Sequence, residues 1–133
     1  MAAPAVPLSR HLLRVRDLID RAYAEPLDLD RLAASAHVSE GYFSRSFKAT
    51  FGETPHQYLM SRRMERAQRL LRDTGLSVTD ICVAVGFTSL GSFSTQFRRF
   101  VGMSPTGYRE QPRTDVLQRL PHCIVKAHSR PRA

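Results

Sequence analysis

Hydrophobic residues recur at intervals of three and four along most of this chain, which is the spacing of one face of an α-helix. Alternating apolar and polar runs, the pattern of half-buried strands, are nearly absent. The first periodic segment carries Leu12, Val15 and Ile19 and stops before Pro26. It predicts a helix from Ser9, as N-cap, to about residue 23, with its Arg and Asp side chains in water. The pattern as a whole predicts an all-α protein.

Capping and turn residues divide the rest of the chain into further helices. A short helix is predicted after Asp28, and a second from residue 39 or 40 to about residue 51, closed by Gly52. Thr54 and Gln57 then form the pattern of a capping box around Pro55, which predicts a long helix to about residue 73. The apolar stripe of this long helix consists of Met60, Met64, Ala67 and Leu71.

The second half of the chain repeats the pattern of the first. A shift of 50 residues superimposes residues 39–58 on residues 89–108, and the shift upstream is 49 because the second copy has one extra residue in its turn. The coincident pairs are Ser39 and Ser89, Gly41 and Gly91, Phe43 and Phe93, Phe47 and Phe97, Gly52 and Gly102, Pro55 and Pro105, and Tyr58 and Tyr108. Each copy is a short helix, a tight turn and a longer helix, which is the helix-turn-helix shape.

The turn of each copy requires an unusual backbone conformation. Gly86 occupies this turn in the second copy, where glycine adopts a positive φ without steric cost. His37 occupies the same place in the first copy, and we expect it to adopt that conformation at some cost.

The longer helix of each copy has an aromatic face and a polar face. We expect the aromatic faces to be core: Phe43, Phe47, Thr50 and Phe51 in the first copy, and Phe93, Phe97, Phe100 and Val101 in the second. The opposite faces carry small, polar and basic residues: Gly41, Ser44, Arg45 and Lys48 in the first copy, and Gly91, Ser92, Ser94, Thr95, Arg98 and Arg99 in the second. A DNA major groove admits an α-helix with such a face.

The chain is strongly basic, with a formal charge of +8 and a pI near 10.5, which indicates an anionic partner such as nucleic acid or an acidic membrane face. No apolar stretch approaches the ~18 residues of a membrane span, and the N-terminus lacks the pattern of an export signal. Cys82 and Cys123 have no metal or redox spacing, and His122 and His128 do not supply one. We therefore expect a cytoplasmic protein without metal or cofactor, in which Cys82 is a small core residue.

Arg45 is the strongest candidate for reading a base, because a guanidinium pairs bidentately with guanine at about 1–3 kcal/mol of discrimination. Lys48, Arg98 and Arg99 lie nearer the helix ends and are candidates for phosphate contacts. The central helix, at ~1.5 Å per residue, spans about 28 Å, compared with ~34 Å for one turn of DNA. This length favours two reading helices in successive major grooves. The arginines of the central helix face either the DNA backbone or solvent.

The run from residue 81 to residue 109, ICVAVGFTSLGSFSTQFRRFVGMSPTGYR, resembles the signature of the AraC/XylS family of bacterial transcription regulators. Residues 63–71, RMERAQRLL, resemble the linker helix of that family, and the resemblance covers about residues 9–110. It implies a non-enzymatic, seven-helix domain with two helix-turn-helix motifs. Such a domain binds promoter DNA and usually activates transcription by contacting RNA polymerase.

The resemblance also implies which residues face DNA. The base-facing positions fall on Gly41, Tyr42, Ser44 and Arg45 in the first reading helix and on Leu90, Gly91, Ser92, Ser94 and Thr95 in the second. We assign phosphate contacts to Ser39, Lys48, Arg62, Arg63, Ser89, Gln96, Arg98 and Arg99. The chain departs from the family at Cys82, His37 and Thr95, where alanine, glycine and a basic residue are common. The second unit is therefore expected to read few bases and to anchor phosphates.

These observations predict five segments. Residues 1–8 form an N-terminal extension, 9–53 the first helix-turn-helix subdomain, 54–74 the linker helix, and 75–110 the second subdomain. Residues 111–133 form a basic, loosely ordered tail that adds nonspecific DNA affinity. The reading helices are expected at about residues 40–51 and 89–101. The chain has no room for the ligand-sensing domain of most relatives, so it is either a short regulator or the reading half of a longer one, and no small-molecule effector site is evident.

Two other functions compete with DNA-dependent regulation. The chain could be the DNA-delivery module of a repair or modification enzyme with Cys123 as acceptor nucleophile, although spacing places no base near it. It could also be a basic helical adaptor for proteins, in which case partner binding would survive Arg45→Ala and Arg98→Ala. DNA binding instead predicts a steep loss of affinity in these variants and a smaller salt dependence.

Overall fold

A computed structural model describes residues 7–112 of the protein, and these residues form seven α-helices and no strand. The helices are α1 (Leu8–Ala22), α2 (Leu29–Ala34), α3 (Glu40–Phe51), α4 (Pro55–Asp73), α5 (Val78–Ala84), α6 (Leu90–Val101) and α7 (Pro105–Glu110). The all-α prediction and the seven helices implied by the family resemblance are confirmed. None of the helices in this part of the chain is both long and apolar enough to cross a membrane.

Side-chain caps set most of the helix starts, because they satisfy backbone N–H groups that have no partner within the helix. Such caps are provided by Asp28, Ser39, Ser77, Ser89 and Ser104. The predicted capping box at the start of α4 is confirmed: Thr54 Oγ1 accepts from the Gln57 N–H at 3.2 Å, and Gln57 Oε1 accepts from the Thr54 N–H at 3.0 Å. The sequence therefore predicted the start of the longest helix correctly.

The predicted N-cap of the first helix is wrong. Helix α1 begins at Leu8, and its N-cap is Pro7, which provides no side-chain hydrogen bond. The Pro7 carbonyl accepts the N–H of His11 at 3.1 Å, so the first turn starts two residues earlier than a Ser9 N-cap would place it.

The described residues divide after Leu59 into two compact units, each with its own core. The core of unit 1 consists of Leu12, Val15, Ile19, Ala33, Phe43, Phe47, Tyr58 and Leu59. The core of unit 2 consists of Met64, Ala67, Leu70, Leu71, Ile81, Cys82, Val85, Phe87, Phe93, Phe97, Val101 and Tyr108. The predicted core role of Cys82 is confirmed, and the predicted stripe of α4 is buried except for Met60, which is half-buried.

The sequence repeat is also a repeat of side-chain packing. In unit 1 the ring of Phe47 meets that of Tyr58 edge-on, with centroids 5.8 Å apart and planes at 78°. In unit 2 Phe97 meets Tyr108 in the same way, at 5.6 Å and 75°. Edge-to-face aromatic pairs of this kind stabilise a core beyond the area that they bury. Each unit therefore holds its reading helix with the same pair of rings.

The reading helices bury most of their aromatic faces. Phe43, Phe47, Phe93 and Phe97 are at most 1% exposed, as predicted, and Phe51 and Phe100 are half-buried. Thr50, which was expected in the core, is exposed. Its hydroxyl donates to the carbonyl oxygen of Ser46, one turn earlier, at 2.9 Å. This local hydrogen bond lets a threonine at the margin of the apolar face remain at the surface.

Helix α1 also differs from its prediction, because Arg16 is buried rather than in water. Its side chain is 5% exposed, and its guanidinium carbon lies 4.7 Å from the centroid of the Phe51 ring. This distance is typical of a cation–π contact, which compensates in part for the loss of water around the charge.

Left-handed residues close the turns, as the sequence predicts. His37 has a φ of 60°, and Gly86 has a φ of 99° at the matching place in the second copy. Gly52 and Gly102, with φ values of 84° and 93°, end α3 and α6. The reading helices therefore begin and end at the same relative positions in both units.

Candidate nucleic-acid interface

Helix α3 turns a polar face to solvent because Phe43 and Phe47 fix the opposite face in the core of unit 1. The predicted contact residues of this helix that are exposed are Gly41, Tyr42, Arg45 and Lys48, and Ser44 is half-buried. Tyr42 has 49% of its surface exposed. Four of the five predicted contact residues within α3 are therefore exposed.

Within unit 2, helix α6 likewise buries Phe93 and Phe97 on one side. Its exposed predicted contact residues are Leu90, Gly91, Ser92, Thr95, Arg98 and Arg99, and Ser94 and Gln96 are half-buried. Arg98 and Arg99 occupy the last turn, where positive charge also stabilises the helix dipole. Six of the eight predicted contact residues within α6 are therefore exposed.

The guanidinium of Arg45 lies beside Gly41, one turn earlier on α3. A β-carbon at position 41 would come within 3.1 Å of Arg45 Nη1, which is closer than side-chain packing normally allows. The glycine therefore makes room for the arginine to lie along the helix surface. This places the positive group near the first turns of α3, the part of a reading helix that usually contacts base edges.

Ser39 and Ser89 serve as N-caps of the two reading helices. Ser39 Oγ accepts the N–H of Tyr42 at 3.1 Å, and Ser89 Oγ accepts the N–H of Ser92 at 3.2 Å. A hydroxyl that accepts in this way still has a hydrogen to donate. Both serines are exposed, so each hydroxyl hydrogen points from a surface residue at the start of its helix.

The two arginines of α4 in the predicted phosphate set lie in different surroundings from those on α6. Arg63 is 8% exposed, and its guanidinium carbon lies 5.6 Å from the centroid of the Phe87 ring. Burial lowers the pKa of Arg63 from its ordinary value. The side chain of Arg62 is 30% exposed, and its Nη1 donates to Glu65 Oε2 at 2.9 Å. A signal for the burial of Arg63 was present, since it follows Met60 by three residues and precedes Ala67 by four.

Sequence reasoning missed a pair of carboxyl groups beside α3. The pKa of Glu40, the first residue of this helix, is raised above its ordinary value by hydrogen bonding to Asp30 of α2 and by the negative charge of that residue. With Asp28, the two side chains line a cavity of about 450 Å³ that also reaches Ser44. Acidic residues at helix starts are common, so each one alone gave no signal in the sequence.

The described residues contain no candidate metal site. Among residues 7–112, no three or more His, Cys, Asp or Glu side chains are arranged to hold a metal ion. His122, Cys123 and His128, which we considered as ligands, lie outside the described residues, as does almost all of the predicted basic tail.

Known proteins share this arrangement. A family profile described as "Helix-turn-helix domain" matches residues 32–111. A transcriptional regulator from Chromobacterium violaceum, described as containing an AraC-type DNA-binding domain, is 32% identical with a TM-score of 0.65, over 78% of this chain and 96% of that one. The chain belongs to the AraC-type helix-turn-helix family. The resemblance seen in residues 81–109 is thereby confirmed.

Two further relatives place this chain in context. The DNA-binding domain of the global transcriptional factor AdpA, solved in complex with a target DNA, is 34% identical with a TM-score of 0.62, over 77% of this chain and 89% of that one. The transcriptional regulator ArgR of Pseudomonas aeruginosa is 34% identical over 96 residues, which are 72% of this chain and 29% of the relative. The chain spans less than half the length of the first curated relatives that it matches.

Proposed function

We propose that this AraC-type chain binds a specific sequence of double-stranded DNA with α3 and α6 in major grooves, and that it thereby activates transcription through RNA polymerase. One observation carries the proposal. Both units bury the same aromatic residues of their reading helix and expose a polar, basic face on its other side. A fold that repeats this arrangement provides two surfaces of the kind that enter major grooves.

The proposed DNA contacts come from residues that are exposed or half-buried. Base edges are read by Gly41, Tyr42, Ser44 and Arg45 of α3 and by Leu90, Gly91, Ser92, Ser94 and Thr95 of α6. Phosphates are bound by Ser39, Lys48, Ser89, Gln96, Arg98 and Arg99, with a further contact from half-buried Arg62. Arg63 is assigned to packing instead, because its guanidinium is buried against Phe87.

The two reading faces differ in sequence, so the proposed DNA site has two unlike halves. We expect their centres to lie about one helical turn of DNA, ~34 Å, apart. Selection of bound sequences from a random duplex pool tests this directly. A perfect palindrome would instead indicate two copies of the chain on symmetric half-sites.

Arg45 provides the sharpest test of the reading role. In Arg45→Ala, the preference for one base pair should fall by about 1–3 kcal/mol, because the bidentate contact with that base is lost. The matched control is Arg14→Ala, which removes an exposed arginine from α1 of the same unit. Competition binding on duplexes that vary at each position measures both. Equal losses in the two variants, with no change in preference, would refute the assignment.

The regulatory role is tested by transcription in vitro. A promoter that carries the selected site should give more transcript with RNA polymerase when the wild-type protein is added, and Arg45→Ala should lose this effect. Reduced transcript would show repression in place of activation. The enzyme alternative is addressed by Cys123→Ser, which should regulate the same promoter as well as the wild type does.

A further inference from the structure

The two units differ in charge beside otherwise similar reading helices. Asp28, Asp30 and Glu40 of unit 1 correspond to Ser77, Thr79 and Leu90 of unit 2 under the repeat shifts of 49 and 50 residues. The start of α3 therefore has three carboxyl groups nearby, and the matching residues at the start of α6 are uncharged. Elsewhere the two reading faces do not differ in this way, because each of them carries basic residues.

Geometry places two of these carboxyl groups at the first turn of α3. Glu40 is the first residue of the helix and is exposed, as is Asp30 of α2. The two side chains line one cavity together with Ser44. The pair is thus adjacent to a residue that we propose reads a base.

This position matters because the start of a helix normally attracts phosphate. Unpaired N–H groups and the helix dipole make the N-terminus a favourable place for an anion. Carboxylates at the same place repel a DNA phosphate and reduce that attraction. Nonspecific binding depends on phosphate contacts alone, whereas specific binding has base contacts in addition.

We propose that the Asp30–Glu40 carboxyl pair is a specificity determinant, which keeps DNA phosphates away from the start of α3. Unit 1 then binds tightly only where base contacts outweigh the repulsion. Unit 2, without such a pair, binds the backbone of any sequence more readily. This inference rests on the proposed function, since it assumes that α3 enters a groove of DNA.

Neutral variants test the inference. Glu40→Gln and Asp30→Asn should each tighten binding to a random-sequence duplex by about fivefold, as expected for removal of one like-charge contact near the surface. Binding to the selected site should tighten less, so the ratio of specific to nonspecific affinity should fall. The control is Glu110→Gln, which removes the same charge from α7 and should leave this ratio unchanged. Fluorescence anisotropy at fixed salt measures the affinities of the wild type and the three variants for both duplexes.

The reciprocal variant introduces one such carboxylate into unit 2. Thr79→Asp, which leaves the proposed base-reading residue Leu90 unchanged, should weaken binding to the random duplex and raise the ratio. Because all of these positions are exposed, we expect the variants to fold, which circular dichroism will check.

Two results would overturn the inference while leaving the proposed function intact. One is a wild-type protein that selects a sequence but whose random-duplex affinity is the same in Glu40→Gln, Asp30→Asn and Glu110→Gln. The other is an equal tightening on both duplexes, which would reflect net charge alone. A wild-type protein that prefers no sequence would instead refute the proposed function, and the inference with it.

Discussion

Single arginines that the sequence presents as equivalent have different roles in the structure. Arg16 and Arg63 lie buried against the rings of Phe51 and Phe87, whereas Arg45 is exposed beside Gly41. A guanidinium is less strongly hydrated than an ammonium and stacks on aromatic faces, so arginine tolerates burial that lysine would not. The high arginine content of the chain therefore supports its cores as well as its proposed DNA surface.

The thiol of Cys82 should be inert in the folded protein. Cys82 is 2% exposed, and burial raises the pKa of its thiol. The reactive thiolate is therefore less populated at pH 8 than in an ordinary cysteine, and the reagent has little access to it. In a Cys123→Ser background, mass spectrometry should show little iodoacetamide labelling of native protein and full labelling in denaturant. Fast labelling without denaturant would contradict the packing of α5.

At the scale of helices and turns, the sequence predicted what depends on local chemistry. The capping box of Thr54 and Gln57 and the left-handed turn residues His37 and Gly86 were all correct, because each is determined by neighbours within a few residues. Surface positions near a core face were harder. The exposure of Thr50 depends on which neighbouring helix covers it, and no single-helix pattern contains that information.

Gly102 should be required at the end of α6 only because of its left-handed backbone conformation. Its φ is 93°, and no neighbour would contact an added β-carbon. Gly102→Ala should therefore lower the free energy of unfolding by about 1 kcal/mol through left-handed strain. Gly75→Ala is the control, since that site is equally open and has no left-handed φ. Urea unfolding measures both, and equal effects would show that strain at Gly102 is not the cause.

The Tyr108 ring of α7 should make unit 2 sensitive to alkali. Burial raises the pKa of Tyr108, partly opposed by the charge of Arg72 and a hydrogen bond with Gln68. A raised folded-state pKa means that the unfolded chain loses its phenolic proton first. The stabilising contribution is thus complete below the unfolded pKa of about 10 and is lost as pH rises through the folded value.

Urea unfolding between pH 9 and pH 11 measures this alkaline loss. The free energy of unfolding should fall less steeply with pH in Tyr108→Phe than in the wild type, even if Tyr108→Phe is less stable at neutral pH. Tyr42→Phe, which changes an exposed ring on α3, is the control and should keep the wild-type slope. An unchanged slope in Tyr108→Phe would show that this phenol does not ionise on unfolding in that range.

Across the whole molecule, the sequence repeat predicted the duplicated fold but not the difference in charge between its copies. The repeat is visible because identical residues recur at a fixed shift, and both aromatic clusters follow from it. The Asp30–Glu40 pair is visible only once α2 packs on α3, because its members are ten residues apart and belong to separate helices. Similar scaffolds thus carry two surfaces with different electrostatics, which is the basis of the specificity role that we propose for the Asp30–Glu40 pair.

The phosphate contacts that we propose for α6 lead to a prediction about salt dependence. Arg98 and Arg99 are exposed in the last turn of α6, and each phosphate that they neutralise contributes about 0.9 to the slope of log affinity against log salt concentration. The double variant Arg98→Ala/Arg99→Ala should therefore reduce that slope by about 1.8 and weaken binding to all sequences alike. Arg10→Ala/Arg14→Ala removes the same charge from exposed positions on α1 and should keep most of the slope. If the two double variants lose the same slope, the backbone contacts depend on net charge, and α6 has no special part in anchoring the DNA.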